Sequence, residues 1–251
     1  MKTAKLGAIF MVSITALTVV GIGYSAWTDT IYIEGTVNTG SVDLKVVKLS
    51  GTWTYKLVET GEWFTWHGWA DPVDGNPLDD IEAIINEECN YDGEIRLVAY
   101  GTAYLNGQDQ SGDSVVVVWD NLFPLTDADW IVDIVFHYDG SIPVKINDIN
   151  YDYTYDDDDW IAPLITNNNI WAHAYRTEDP STYDYPLEMP DLGTVYEGTQ
   201  LHKCDYVKLD VHFNLPQDDT YMGRSASGTA QIQVVQWNEY PYQYQPQNGK
   251  E

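Results

Sequence analysis

Hydrophobic and polar residues alternate with period two along much of this chain, the pattern of strands with one face buried and the other wet. In 206–213, Val207, Leu209, Val211 and Phe213 share a face, with Tyr206, Lys208, Asp210 and His212 opposite. In 130–137, Trp130, Val132, Ile134 and Phe136 line up in the same way. Further strands are expected over 42–46, 52–58, 94–104, 114–119 and 230–237. The last carries a bulge at Val234-Val235, where two apolar residues adjoin. Only Pro77–Glu88 has helical spacing, with Leu78, Ile81, Ile84 and Ile85 on one face and acids in the first turn. Asp92-Gly93, Asn106-Gly107 and Asp139-Gly140 mark turns. The pattern predicts an all-β protein, an antiparallel β-sandwich with a short helical insertion. Residues 160–203 hold Pro163, Pro180, Pro186 and Pro190 amid Asn and Tyr and read as a long surface insertion. Residues 241–251 lack apolar periodicity and read as a flexible tail.

The N-terminus has a different pattern. A basic start, Met1 to Lys5, precedes an apolar run from Leu6 to Val20 and then Gly21-Ile22-Gly23-Tyr24-Ser25-Ala26. That order is the layout of a secretory signal peptide. The apolar run is shorter than the roughly 20 residues a membrane span needs. Cleavage is therefore expected after Ala26, so residues 1–26 are removed, the mature chain begins at Trp27, and no membrane attachment remains after processing. Immediately downstream, Ile31, Ile33 and Val37 alternate with Tyr32, Glu34 and Thr36. A strand at the very tip of a mature chain is either a private edge strand or one made to pair with a neighbour.

Composition narrows the choice of partner. The formal net charge is −27, from 39 acidic and 12 basic residues, and such a surface repels nucleic acid and anionic lipid. Tyr (19) and Trp (10) are abundant, and both residues favour strands and half-buried contact surfaces. Cys89 and Cys204, in a chain bound for an oxidising compartment, are expected to form a disulfide. That bridge would close a loop of about 115 residues and contribute at most ~4–5 kcal/mol.

Candidate chemistry is sparse. Asp156, Asp157, Asp158 and Asp159, with Asp152 and Asp148 upstream, form the densest acidic cluster. Crowded hard oxygen donors suit Ca²⁺, although the spacing matches no EF-hand loop. A weaker acidic group, Asp71, Asp74, Asp79 and Asp80, surrounds Gly75. The five histidines stand singly, and no His-Glu-x-x-His, Gly-x-Ser-x-Gly or phosphate-binding loop occurs, so the chain is not expected to be an enzyme. Trp53, Trp63, Trp66 and Trp69, with Phe64, leave one other class open: a monomeric cell-surface carbohydrate- or protein-binding module.

Several segments, in order, resemble the TasA/camelysin family of secreted fibre-forming proteins, which includes related archaeal filament subunits. The junction Gly21-Ile22-Gly23-Tyr24-Ser25-Ala26-Trp27-Thr28-Asp29 looks like the family's cleavage region, and Thr39-Gly40-Ser41-Val42-Asp43-Leu44 looks like the segment that follows it. Asn121-Leu122-Phe123-Pro124, the stretch from Val135 to Ile146, and Gln236-Trp237-Asn238 are similar to later family elements. Two departures stand out: residues 50–112 are longer than the corresponding family interval, and Leu125 replaces a Gly. The resemblance implies processing by a dedicated signal peptidase and a jelly-roll β-sandwich over 39–240, with 50–112 and 160–203 as insertions. It also implies head-to-tail homopolymerisation into extracellular pilus-, sheath- or biofilm-matrix-like filaments. The donor strand of such a polymer would be 27–38, with Ile31, Ile33 and Val37 as inward plugs and Trp27 as an anchor. Ca²⁺ at Asp152 and Asp156–Asp159 would assist assembly.

Overall fold

One long strand organises the molecule. β1 (Leu44–Leu57) joins two segments that the pattern separates, 42–46 and 52–58, because the chain between them stays extended through Ser50 and Gly51. The structure, a computed structural model, describes residues 41–105, 114–125, 129–155 and 160–237. Along the chain follow β2 (Trp63–Ala70), helix α1 (Ile81–Cys89), β3 (Ile95–Leu105), β4 (Ser114–Leu122), β5 (Trp130–Tyr138), β6 (Val144–Tyr155), helix α2 (Ile161–Thr166), β7 (Ile170–Thr177), β8 (Gln200–Leu201), β9 (Asp205–Phe213) and β10 (Arg224–Gln236). All pairings between these strands are antiparallel, in the order β7-β9-β5-β1-β3-β4-β10-β6-β8, and β2 lies on the second side of β1. The all-β expectation holds, and the sheet is curled into a half-barrel.

The curl begins at a fork in β1. Leu44–Leu49 pair with β5, whereas Gly51–Leu57 pair with β3. Beyond the fork β5 leaves the ladder, and two hydroxyls replace the lost main-chain partners. Ser50 Oγ accepts from Asp133 N at 2.8 Å, while Thr52 Oγ1 accepts from Ile131 N at 3.1 Å and donates to Ile131 O at 2.8 Å. Ser50 and Thr52 are fully buried, as a group bonded to otherwise orphaned backbone must be. The opposite face of β1 carries Leu49, Trp53, Tyr55 and Leu57 into the main core. There the two arms of the sheet meet, with the Trp119 ring of β4 4.2 Å from that of Phe213 on β9.

Three sequence expectations shift. Helix α1 starts at Ile81, not Pro77, because Pro77 bridges Ala70 and Leu78 N–H bonds Trp69 O, which holds both residues to β2. Asp80 then caps the helix by accepting from Ala83 N, and Ile81 and Ile85 are its buried face. Residues 160–203 are more regular than expected: α2 and the eight-residue β7 lie within them, and β7 pairs with β9 from Ile170↔Phe213 to Thr177↔Tyr206. Ala172 and Ala174 weaken the alternation that would have announced that strand. Residues 50–105 contribute the second half of β1 together with β2 and β3, and β3 lies between β1 and β4 within the sheet. The bulge expected at Val234-Val235 is present as a register shift between Gln233 and Val234 against β6.

Candidate functional site

Of the residues singled out for subunit contact, Trp27, Ile31, Ile33 and Val37 lie outside the described residues. So do Asp156–Asp159. Asp152 stands on β6 opposite Thr229 of β10. The second acidic group is fully described, and its members work locally and separately. Asp71 and Asp74 accept from the Val73 and Asn76 N–H groups, Asp79 accepts from Trp66 Nε1 at 3.3 Å, and Asp80 caps α1. Turn and cap formation accounts for Asp71, Asp74 and Asp80, and the Trp66 indole for Asp79. Among the described residues, no set of three or more His, Cys, Asp or Glu is placed to hold a metal ion.

The disulfide expected between Cys89 and Cys204 is not formed; both are free and exposed. The cause lies in the topology. Cys89 ends α1 just before Tyr91, whose hydroxyl bonds Glu94 O at 2.8 Å, and Val58 N–H in turn bonds Glu94 O at the C-terminal end of β1. Cys204 N–H bonds Tyr138 O, and Tyr138 pairs with Leu44 at the N-terminal end of β1. A 14-residue strand spans about 40 Å, far beyond the ~7 Å limit between bridged Cα atoms. Both thiols are therefore expected to react with a maleimide in the native protein. The double Cys89→Ser/Cys204→Ser variant is expected to unfold within ~0.5 kcal/mol of the unchanged chain.

The polar face of β9, read from the sequence as solvent-facing, is covered instead. The Pro180–Met189 segment closes over it, and Lys208 Nζ donates to Pro186 O at 3.0 Å. Lys208 is 2% exposed and Asp133, opposite Asp210 in the β5–β9 register, is 0% exposed. Asp133 Oδ1 and Asp210 Oδ1 each lie 3.3 Å from Lys208 Nζ. Ser50 Oγ donates to Asp133 Oδ2 at 2.9 Å, His67 Nε2 is also 2.9 Å from it, and Tyr175 donates to Asp210 Oδ2 at 2.9 Å. The cluster ties β1, β2, β5, β7 and β9 together. Asp133 and Lys208 are closed off from solvent within it. His137 and His212 line the same face, stacked on Tyr206 at 4.4 Å and Trp171 at 3.6 Å.

The two carboxyl groups are driven apart. Burial opposes charge on Asp133, but the His67 hydrogen bond and charge, with Lys208, outweigh it and hold Asp133 below its ordinary value. Burial and then the Asp133 charge push Asp210 up to about 8, and Lys208 only partly offsets them. Folding therefore takes up a proton at Asp210 between its ordinary 3.8 and about 8. The stabilising contribution of Asp210 is full below about pH 4 and is lost as the pH rises through about 8. That of Asp133 runs the other way and is lost only in strong acid. Urea unfolding at about pH 5 and about pH 8.5 is expected to show lower stability at the higher pH. Asp210→Asn, which cannot ionise, is expected to flatten that difference.

The other candidate is an open strand edge. Leu49 pairs on one side with Ile134 of β5 and on the other with Ala70, where β2 ends. Residues 44–48 therefore have, among the described residues, a main-chain ladder on the β5 side alone. Beside them runs an apolar groove of about 600 Å³, lined by Lys45–Leu49 and walled by Ala70, Pro72, Leu78 and Leu105. Val47 and Leu78 are 40% and 52% exposed there. Lys45 is paired with Asp43 at 2.6 Å, and Lys48 Nζ lies 5.0 Å over the Trp69 ring. No family model and no curated sequence matches the chain. The geometry of this edge therefore carries the functional argument.

Proposed function

We propose that the chain is a secreted structural subunit that polymerises outside the cell, its N-terminal strand (27–38) completing the sheet of the next copy. The jelly-roll form of the half-barrel belongs to this reading. The observation that carries it is the edge of β1 at residues 44–48, open on one side among the described residues, beside an apolar groove. An added strand gains main-chain hydrogen bonds along the edge, and its alternate side chains enter the groove. Ile31, Ile33 and Val37 supply apolar side chains at that period, each contributing about 1.5–3 kcal/mol on burial. Asp29 and Glu34 bring negative charge to an edge that holds Lys45 and Lys48, two of only 12 cations in the chain. A head-to-tail contact of this kind does not close on itself and propagates as a filament. Ca²⁺ at Asp152 and Asp156–Asp159 is the cation this reading assigns to screening between acidic subunits.

The acceptor is tested by charge. Val47→Glu/Leu78→Glu places two carboxylates in the groove at exposed positions, so the fold is expected to survive with little change in melting temperature. Light scattering is expected to show this variant remaining monomeric where the unchanged chain polymerises. Polymerisation at the normal rate would remove this edge as the acceptor.

A further inference from the structure

We infer that the subunit also binds a linear, neutral glycan in a second groove, on the β1–β2 face away from the main core. Two lobes of about 790 and 560 Å³ share Thr65 and Leu125 and so form one trough. Its floor is a set of polar side chains on paired strands. Thr54 and Thr65 hydroxyls stand 3.1 Å apart, and Thr52 Oγ1 lies 3.0 Å from His67 Nδ1. From Trp63 to His67 the floor runs about 13 Å at the rise of a strand.

The two ends differ in chemistry. At one, Trp63 is 53% exposed yet held in place: its ring meets Phe123 edge-on at 5.1 Å, and Phe123 meets buried Trp130 at 5.6 Å, whose Nε1 donates to Phe123 O. A fixed, half-exposed indole presents apolar area at low entropic cost, which is what a sugar face stacks upon. At the other end, Asn214 Nδ2 donates to Asp129 Oδ1 at 2.7 Å and Gln217 Nε2 donates to Leu125 O at 3.1 Å. Both amides are thereby oriented, and their oxygens remain as acceptors for ligand hydroxyls.

Charge and backbone choose the ligand class. In a chain of net charge −27, the carboxylate that lines this trough among the described residues is Asp129, so an anionic polymer gains nothing here. An extended peptide gains no ladder on the floor strand β1, which is already bonded on both sides: Thr52 pairs with His67 and Gly101, and Thr54 with Thr65 and Ala99. A ligand of many hydroxyls and apolar ring faces matches the exposed Thr65 hydroxyl, an indole and two amides.

Affinity electrophoresis of the full chain in native gels holding laminarin, hydroxyethylcellulose or galactomannan tests this, with dextran sulfate and an extended Ile/Thr-rich peptide as controls. At least one neutral polysaccharide is expected to retard the protein. Trp63→Ala is expected to weaken that retardation about tenfold. Gln217→Ala, at the far end of the trough, is expected to weaken it to a lesser degree. Far-UV circular dichroism is expected to stay unchanged for both, since neither side chain is in the core. A loss in either variant supports the site. Retardation by none of the three neutral polymers, by dextran sulfate or the peptide alone, or undiminished in both variants overturns it.

Discussion

Lys208→Met is expected to destabilise the protein by about 3–5 kcal/mol at neutral pH, measured as urea unfolding. Methionine fills most of the same volume, so the loss is electrostatic. Asp133 would remain buried with its Lys208 contact gone and with Asp210 opposite, leaving the His67 and Ser50 bonds as its compensation. The carboxyl groups themselves are predicted to respond unequally. Asp210 is already protonated near pH 7, its titration being pushed up to about 8 by burial and by Asp133. Asn preserves the shape and the bonding of a protonated carboxyl, so Asp210→Asn is expected to cost under ~1 kcal/mol at that pH. Asp133→Asn removes the charge that balances Lys208 and is expected to cost at least twice as much. Equal losses in the two Asn variants would contradict this assignment of the proton.

Trp119→Ala is the second large loss, about 3–5 kcal/mol. The ring is 1% exposed and sits where the arms of the curled sheet meet, against Phe213 at 4.2 Å and over Gly101, its register partner on β3. A Cβ at position 101 would lie 2.5 Å from Trp119 Cδ1. Gly101→Ala is therefore expected to cost about 1–3 kcal/mol by overpacking the same contact from the other side. Because the two residues share one contact, the double variant is expected to lose less than the two single losses added together. Full additivity in chemical unfolding would show that Gly101 and Trp119 do not share this contact.

The strands were legible wherever alternation was strong. Val207, Leu209, Val211 and Phe213, and the matching set on 130–137, face the core as their period requires. What alternation cannot convey is the fate of the polar face. Lys208 and Asp210 look like solvent-facing residues in sequence, and only the distant Pro186 segment, folding back over β9, makes them buried. Ser50 and Thr52 likewise read as ordinary strand residues, although their hydroxyls hold the fork in β1. Nothing local marks a strand that changes partners midway. The expected disulfide failed for a related reason: pairing two cysteines by compartment ignores that β1 separates them by its own length. The open edge of β1 was also hidden, since the segment 42–46 reads as any half-buried strand until β2 is seen to stop at Ala70. The glycan trough has a partial signal in the aromatic run 63–69, where Trp69 is buried and Trp63 is exposed.

The most direct measurement compares a chain of residues 27–251 with one of residues 39–251 by negative-stain electron microscopy, each with and without millimolar Ca²⁺. Filaments from the longer chain alone are the predicted result, and their dependence on Ca²⁺ would implicate Asp152 and Asp156–Asp159. Filaments from both chains, or monomers from both in every condition, would contradict assembly through the N-terminal strand.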